Sequence, residues 1–190
     1  MTHAYPFSAD LAAFSRSVAR ITAGGGGDYP EDMQAGLSTA LDQLEWRPDA
    51  TARMLVVIAD APPHLDYRDE RDYADAARRA AARGIKLYTV AASGMDVTGQ
   101  IVMRQMAQFT GANNLFVLRG GAGRQSVGGG DPQSSCGGTQ GQYASGNLDQ
   151  LIIAKVQREL AALDGDPLRI AGRDRDENAK PCNQRIVIAN

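Results

Sequence analysis

Two acidic segments are where this chain could do chemistry. One is Gly24-Gly25-Gly26-Gly27-Asp28-Tyr29-Pro30-Glu31-Asp32; the other is Ile58-Ala59-Asp60-Ala61-Pro62-Pro63-His64. Carboxylate oxygens on short loops, with water completing the shell, suit a hard divalent cation such as Mg²⁺. The plainer readings are a helix cap for Asp28 and a hydrogen-bonded turn carboxylate for Asp60. Other chemistries lack their parts. A phosphate cradle needs a strand before its glycines, but Gly24–Gly27 follows a helical segment, and no Lys-Ser or Lys-Thr comes after it. There is no G-x-S-x-G, so a hydrolase would have to recruit His64 and a serine such as Ser93. Neither H-E-x-x-H nor C-x-x-C occurs, which leaves zinc without a ligand set. His64 reads as a polar loop residue.

The elements that must position these groups start with residues 54–59. This run is apolar on both faces and stops on Asp60 and a Pro-Pro turn. Such a strand belongs in the middle of a parallel sheet covered by helices on both faces, with ligands beyond its carboxyl end. Further strands are expected at 85–90 and 114–118. Helices are expected at 8–22 (capped by Ser8), at 29–45 (opened by Asp28 and Glu31), and at 69–83, 97–110 and 148–163. Trp46 reads as a packing residue at the rim. The alternation of strand and helix implies right-handed crossovers. Ahead of 54–59, however, lie two helices and almost no strand, so one neighbour of that strand is missing. Residues 119–146 are Gly-, Ser- and Gln-rich and too poor in apolar groups to order themselves, so a long loop is expected there. The domain then runs over 1–164, followed by a charged tail at 165–190 in which Arg185–Ala189 could form a short strand.

The chain has 190 residues, 43% hydrophobic and 22% charged, with a net charge of −2. That composition is globular and argues against a general binder of nucleic acid or anionic membranes. No apolar run is long enough for a membrane span, and no leader pattern is visible at Met1. Cys136 and Cys182 are either unrelated thiols or one disulfide. Only the disulfide would favour an extracytoplasmic location.

The two acidic segments resemble those of the von Willebrand factor type A domain, in particular its bacterial and alpha-kinase-associated members. These carry a G-G-G-D-x-P-E-D segment and an I-A-D-A-P-P-H segment. The likeness covers about Tyr5 to Leu163. It implies a Rossmann-like sheet and a metal-ion-dependent adhesion site built from three loops. Asp60 matches the aspartate of the third loop. Gly27 falls where the second loop has its threonine, so its neighbour Asp28 is the substitute ligand or a cap, and Pro62 and His64 belong to the binding loop. The first loop, D-x-S-x-S, has no counterpart: Ser15-Arg16-Ser17 has the spacing but lies in a helix without the aspartate. By the family's layout, that strand would precede residue 1. The resemblance therefore implies an N-terminally incomplete protein-binding module, not an enzyme, that holds Mg²⁺ weakly and whose protein partner is unknown. The rival expectations are a Rossmann-like hydrolase or nucleotide-binding enzyme, and an inactive structural fragment.

Overall fold

The computed structural model describes residues 2–22, 29–48, 51–67, 72–92, 95–119, 136–139 and 145–164. In chain order the elements are α1 (Leu11–Ala19), α2 (Met33–Asp42), β1 (Arg53–Ala59), α3 (Tyr73–Ala82), β2 (Ile85–Ala91), α4 (Val97–Phe109), β3 (Asn114–Arg119), β4 (Cys136–Thr139), β5 (Ser145–Asn147) and α5 (Leu148–Asp164). The protein is mixed α/β. Its strands form a sheet in the order β1-β2-β3-β4-β5. The first three run parallel, while β4 and β5 add antiparallel. β1 and β2 pair without a slip from Arg53 beside Ile85 to Ala59 beside Ala91.

Helices cover both faces of the parallel strands. On one face, Leu37 and Leu41 of α2, Ala76, Ala77 and Ala80 of α3, and Val102, Met103 and Met106 of α4 close over Ile85, Leu87 and Ala91. Trp46 packs at the rim of this core, edge-on to Phe7 and donating to the Ala40 carbonyl at 2.9 Å. On the other face, α5 brings Ile152 and Lys155 over Met54, Val56, Tyr88 and Leu115. Both α3 and α4 stop where a glycine takes positive φ, Gly84 at 61° and Gly111 at 69°. There an amide turns back onto the last carbonyls of the helix, a left-handed conformation that favours glycine.

Several expected features are displaced. The strand at 54–59 is not central: β1 is the edge of the sheet, because no strand of the described residues lies on its other side. The first helix is the shorter Leu11–Ala19 and buries none of its side chains. Asp10 rather than Ser8 caps it, accepting from Ala13 N at 2.9 Å. The second helix begins at Met33, with Asp32 rather than Asp28 as its cap. Pro30 and Glu31 stay outside because the backbone of Glu31 is engaged elsewhere, as described below. Strand β4 lies within 119–146, and β5 begins there and ends at Asn147. The free edge of β3 offers backbone donors and acceptors, and glycine-rich chain can satisfy these without apolar side chains.

Candidate functional site

The carboxyl end of β1 is built by backbone pairing. Glu31 N donates to Pro62 O at 2.9 Å and His64 N donates to Glu31 O at 3.2 Å. These two bonds form a parallel bridge between Glu31 and Pro63. They dock the entrance of α2 against the segment that follows Asp60. The side-chain amide of Gln34, itself buried, donates to the His64 carbonyl and repeats the link. Ala61, Pro62 and Pro63 are buried, whereas Asp60 is exposed. α4 holds the loop from the far side. A Cβ at Gly99 would sit 3.1 Å from Pro62 Cα and 2.0 Å from Met95 Sδ, so only glycine allows this approach without movement.

The two acidic loops are thus brought together, as far as they are described. Glu31, Asp32 and Asp60 line the upper end of one groove of about 600 Å³ that runs along β1 beside Gly36, Leu37 and Ala40. Asp32 is partly committed, since its Oδ1 accepts from Ala35 N at 3.0 Å as the cap of α2. Among the described residues, no three His, Cys, Asp or Glu side chains are grouped to hold a metal ion. Gly27 and Asp28 lie outside the described residues, as do Cys182 and the apolar end of the tail.

His64 is engaged with residues of its own loop. Its Nδ1 lies 3.0 Å from Asp66 Oδ1, and its ring stacks on Tyr67 with centroids 4.4 Å apart. The hydrogen bond with His64 lowers the Asp66 carboxyl below its usual range. This pairing fixes the imidazole as part of the loop.

Two residues with structural consequences were missed in the sequence. Gln34 occupies a buried position three residues before Leu37 and seven before Leu41, so a polar side chain in an apolar stripe was the available signal. Glu159 repeats the pattern in α5, three residues after Val156 on the sheet-facing side. Its carboxylate meets Lys86 Nζ and Tyr88 OH, both at 2.6 Å. Burial alone would raise its pKa, but the hydrogen bonds from Lys86 and Tyr88 outweigh that and lower it. Tyr88 is pushed up, first by burial and then by the neighbouring Glu159. The knot clamps α5 to β2.

A segment of 69 residues is 41% identical to part of the alpha-protein kinase vwkA of Dictyostelium discoideum. The match takes in 36% of this chain and 11% of that protein, so the chain spans only a small part of its relative. No model of a known protein family matches the chain, and no solved structure matches it. Among the described residues, no helix is long and apolar enough to cross a membrane.

Proposed function

We propose that this chain is a protein-binding module of the von Willebrand factor A type, in which Asp60 is the surviving carboxylate of a partial metal-ion-dependent adhesion site. The observation that carries this reading is the bridge from Glu31 to Pro63, which docks the loop of Glu31 and Asp32 beside the exposed Asp60, along one groove at the carboxyl end of a parallel strand. In open α/β sheets this is the end where ligands sit. The partial likeness to a protein kinase agrees with an alpha-kinase-associated type. In this reading the three parallel strands belong to a Rossmann-like sheet without its D-x-S-x-S strand, and the activity is binding, not catalysis. One or two carboxylates hold Mg²⁺ weakly, so a carboxylate from the partner protein completes the shell.

Paramagnetic Mn²⁺ tests the site directly. Millimolar Mn²⁺ is expected to broaden the amide resonances of Glu31, Asp60 and Ala61 before others, on the order of a bare carboxylate site. Acetate, standing in for a partner carboxylate, should strengthen the effect, and Asp60→Ala should remove it. Broadening spread evenly over surface carboxylates would overturn the reading.

A further inference from the structure

The foot of β1, at the opposite end of the strand from the acidic rim, holds a cavity of about 370 Å³. That volume falls in the range of small-molecule sites, about 300–1,000 Å³. Three stretches of chain build it: the segment before α1, the connection from α2 into β1, and the flank of α5. Phe7, Ala9, Trp46, Met54, Val156 and Leu160 give it apolar walls. Two of these walls are held in place, since Trp46 donates to Ala40 O at 2.9 Å and Phe7 stands edge-on to it with ring centroids 5.0 Å apart. Phe7, Val156 and Leu160 are 58%, 37% and 52% exposed. A guest between them removes apolar surface from water that the chain alone leaves wet.

The polar side chains of the cavity are Ser8, Glu45, Arg47, Thr51 and Arg53. Two guanidiniums stand against one carboxylate, so the lining carries a single positive charge in excess. Asp10, close by in sequence, caps α1 and does not line the cavity. Arg53 is the best-placed cation. Its Nη1 donates to the Arg47 carbonyl at 3.3 Å. Gly84 makes room for its Nη2, since a Cβ on that glycine would come within 3.3 Å of it. The Nε of Arg53 is buried and has no hydrogen-bond partner. Among the described residues, no ion pair engages Arg47 or Arg53. Buried donors are normally paired, so a ligand carboxylate at Arg53 adds a charge-assisted bond that the folded chain does not supply. The Ser8 hydroxyl accepts from Asp10 N at 3.0 Å and keeps its own proton to donate.

We propose that this cavity binds an amphipathic monocarboxylate, with the apolar chain of the ligand between Phe7, Trp46, Val156 and Leu160 and its carboxylate on Arg53. One excess positive charge matches one carboxylate, and Glu45 repels a second negative charge, which disfavours a dianion such as a phosphate monoester. The site stands apart from metal binding: a seven-residue strand, roughly 23 Å long, separates it from the acidic rim.

Trp46 is the single tryptophan of the chain, so its emission reports on the cavity directly. Octanoate added to the full chain at neutral pH is expected to change that emission saturably. It should also shift the methyl resonances of Met54, Val156 and Leu160 before those of Val97 and Ile101, which are exposed on α4. 1-Octanol keeps the apolar chain and lacks the charge, and it should bind about tenfold more weakly, the worth of one hydrogen bond to a charged group. Arg53→Gln should weaken octanoate about tenfold and leave 1-octanol unchanged, whereas a merely structural loss would weaken both. Val156→Phe fills the cavity from the exposed flank of α5 and should weaken both ligands. Equal affinity for octanoate and 1-octanol would overturn the proposal, and so would tighter binding of octylammonium, which would assign the site to Glu45. That comparison uses the wild-type chain and decides the matter whether or not the variants fold. Wild-type octanoate affinity in folded Arg53→Gln, an unmoved Trp46 emission, or shifts spread evenly over the exposed apolar residues of α1 and α4 would overturn it too.

Discussion

β1 and β2 are the same length and pair residue for residue, yet their environments differ sharply. Every side chain of β2 except Lys86 is buried. None in β1 is fully buried, and two, Val56 and Ile58, are exposed. Composition does not separate the strands; if anything β1 is the more apolar. What separates them is their neighbours. β2 has a strand on each side, α3 and α4 on one face, and the Glu159 clamp on the other. Among the described residues, β1 has a strand on one side only, and α5 lies over its first half. Burial of a strand is thus set by what the rest of the chain can place around it, and an apolar run states only what the strand could tolerate.

The sharpest way to probe this difference is to truncate matched residues. Leu87→Ala removes a side chain with no exposure from the centre of the core and should cost about 2–5 kcal/mol. Ile58→Ala should cost less than half as much, since an exposed rim side chain leaves little cavity behind. Urea unfolding of the two variants decides the point, and equal losses would mean that β1 is as enclosed as β2.

Next in size is the clamp on the α5 face. Glu159→Gln keeps the shape but removes the charge that Lys86 and Tyr88 both address. A hydrogen bond to a charged group contributes about 1.5–3 kcal/mol. Lys86 is 37% exposed on its side chain, so solvent screening reduces the expected loss to about 1 kcal/mol. The pH dependence has a definite sign. The folded pKa of Glu159 lies below its ordinary value of 4.5. The clamp's contribution is therefore full above that ordinary value and fades as pH falls through the lower, folded one. Glu159→Gln should flatten the acid limb of the stability profile and leave the neutral region parallel to the wild type. An unchanged acid limb would show that the knot contributes no linkage.

Gly99→Ala probes how the upper end of β1 is held. The new methyl displaces the Met95 thioether, which is flexible, and presses on the Pro62 backbone, which is not. Helix propensity favours alanine by about 1 kcal/mol, while overpacking costs about 1–3 kcal/mol. A net loss of roughly 1 kcal/mol follows, with amide shifts at Ala61 and His64 that a remote helix substitution would not produce. Stabilisation without such shifts would mean that α4 does not support the loop.

Much of this architecture was legible in the sequence because local rules and packing agree there. The parallel pairs of β1 to β3 follow from alternating strands and helices, and Gly84 and Gly111 mark the ends of α3 and α4. The errors arose where a long-range backbone bond overrode a local preference. Asp28 and Glu31 have capping-box spacing, but Glu31 is held by Pro62 and His64, and the cap moves to Asp32. The strands β4 and β5 were illegible because glycine chain carries no apolar period: β4 takes its partners from the edge of β3, and β5 takes its from β4. At the site, the two acidic loops could be expected to meet, since a helix that leads into a strand runs antiparallel to it, so the start of α2 and the end of β1 share one rim. That Gln34 would tie them together could not be expected without knowing which side of α2 faces the His64 carbonyl.

The smallest stability effect belongs to Asp60, and its smallness is informative. Asp60 and Glu159 are both carboxylates near a strand of the same sheet. Glu159 is buried and clamped, while Asp60 is exposed beyond the last residue of β1. An exposed side chain that supports no cap or core contact changes stability by less than about 0.5 kcal/mol when replaced. Asp60→Asn should therefore leave the unfolding midpoint unmoved, whereas Glu159→Gln lowers it. The same substitution should abolish Mn²⁺ broadening at Glu31 and Ala61, because an amide carries no charge to hold a hard cation. Loss of binding without loss of stability marks a residue kept at a strand end for a ligand. If Asp60→Asn instead destabilises the chain as much as Glu159→Gln does, Asp60 is a structural turn carboxylate, and the upper end of β1 needs another function.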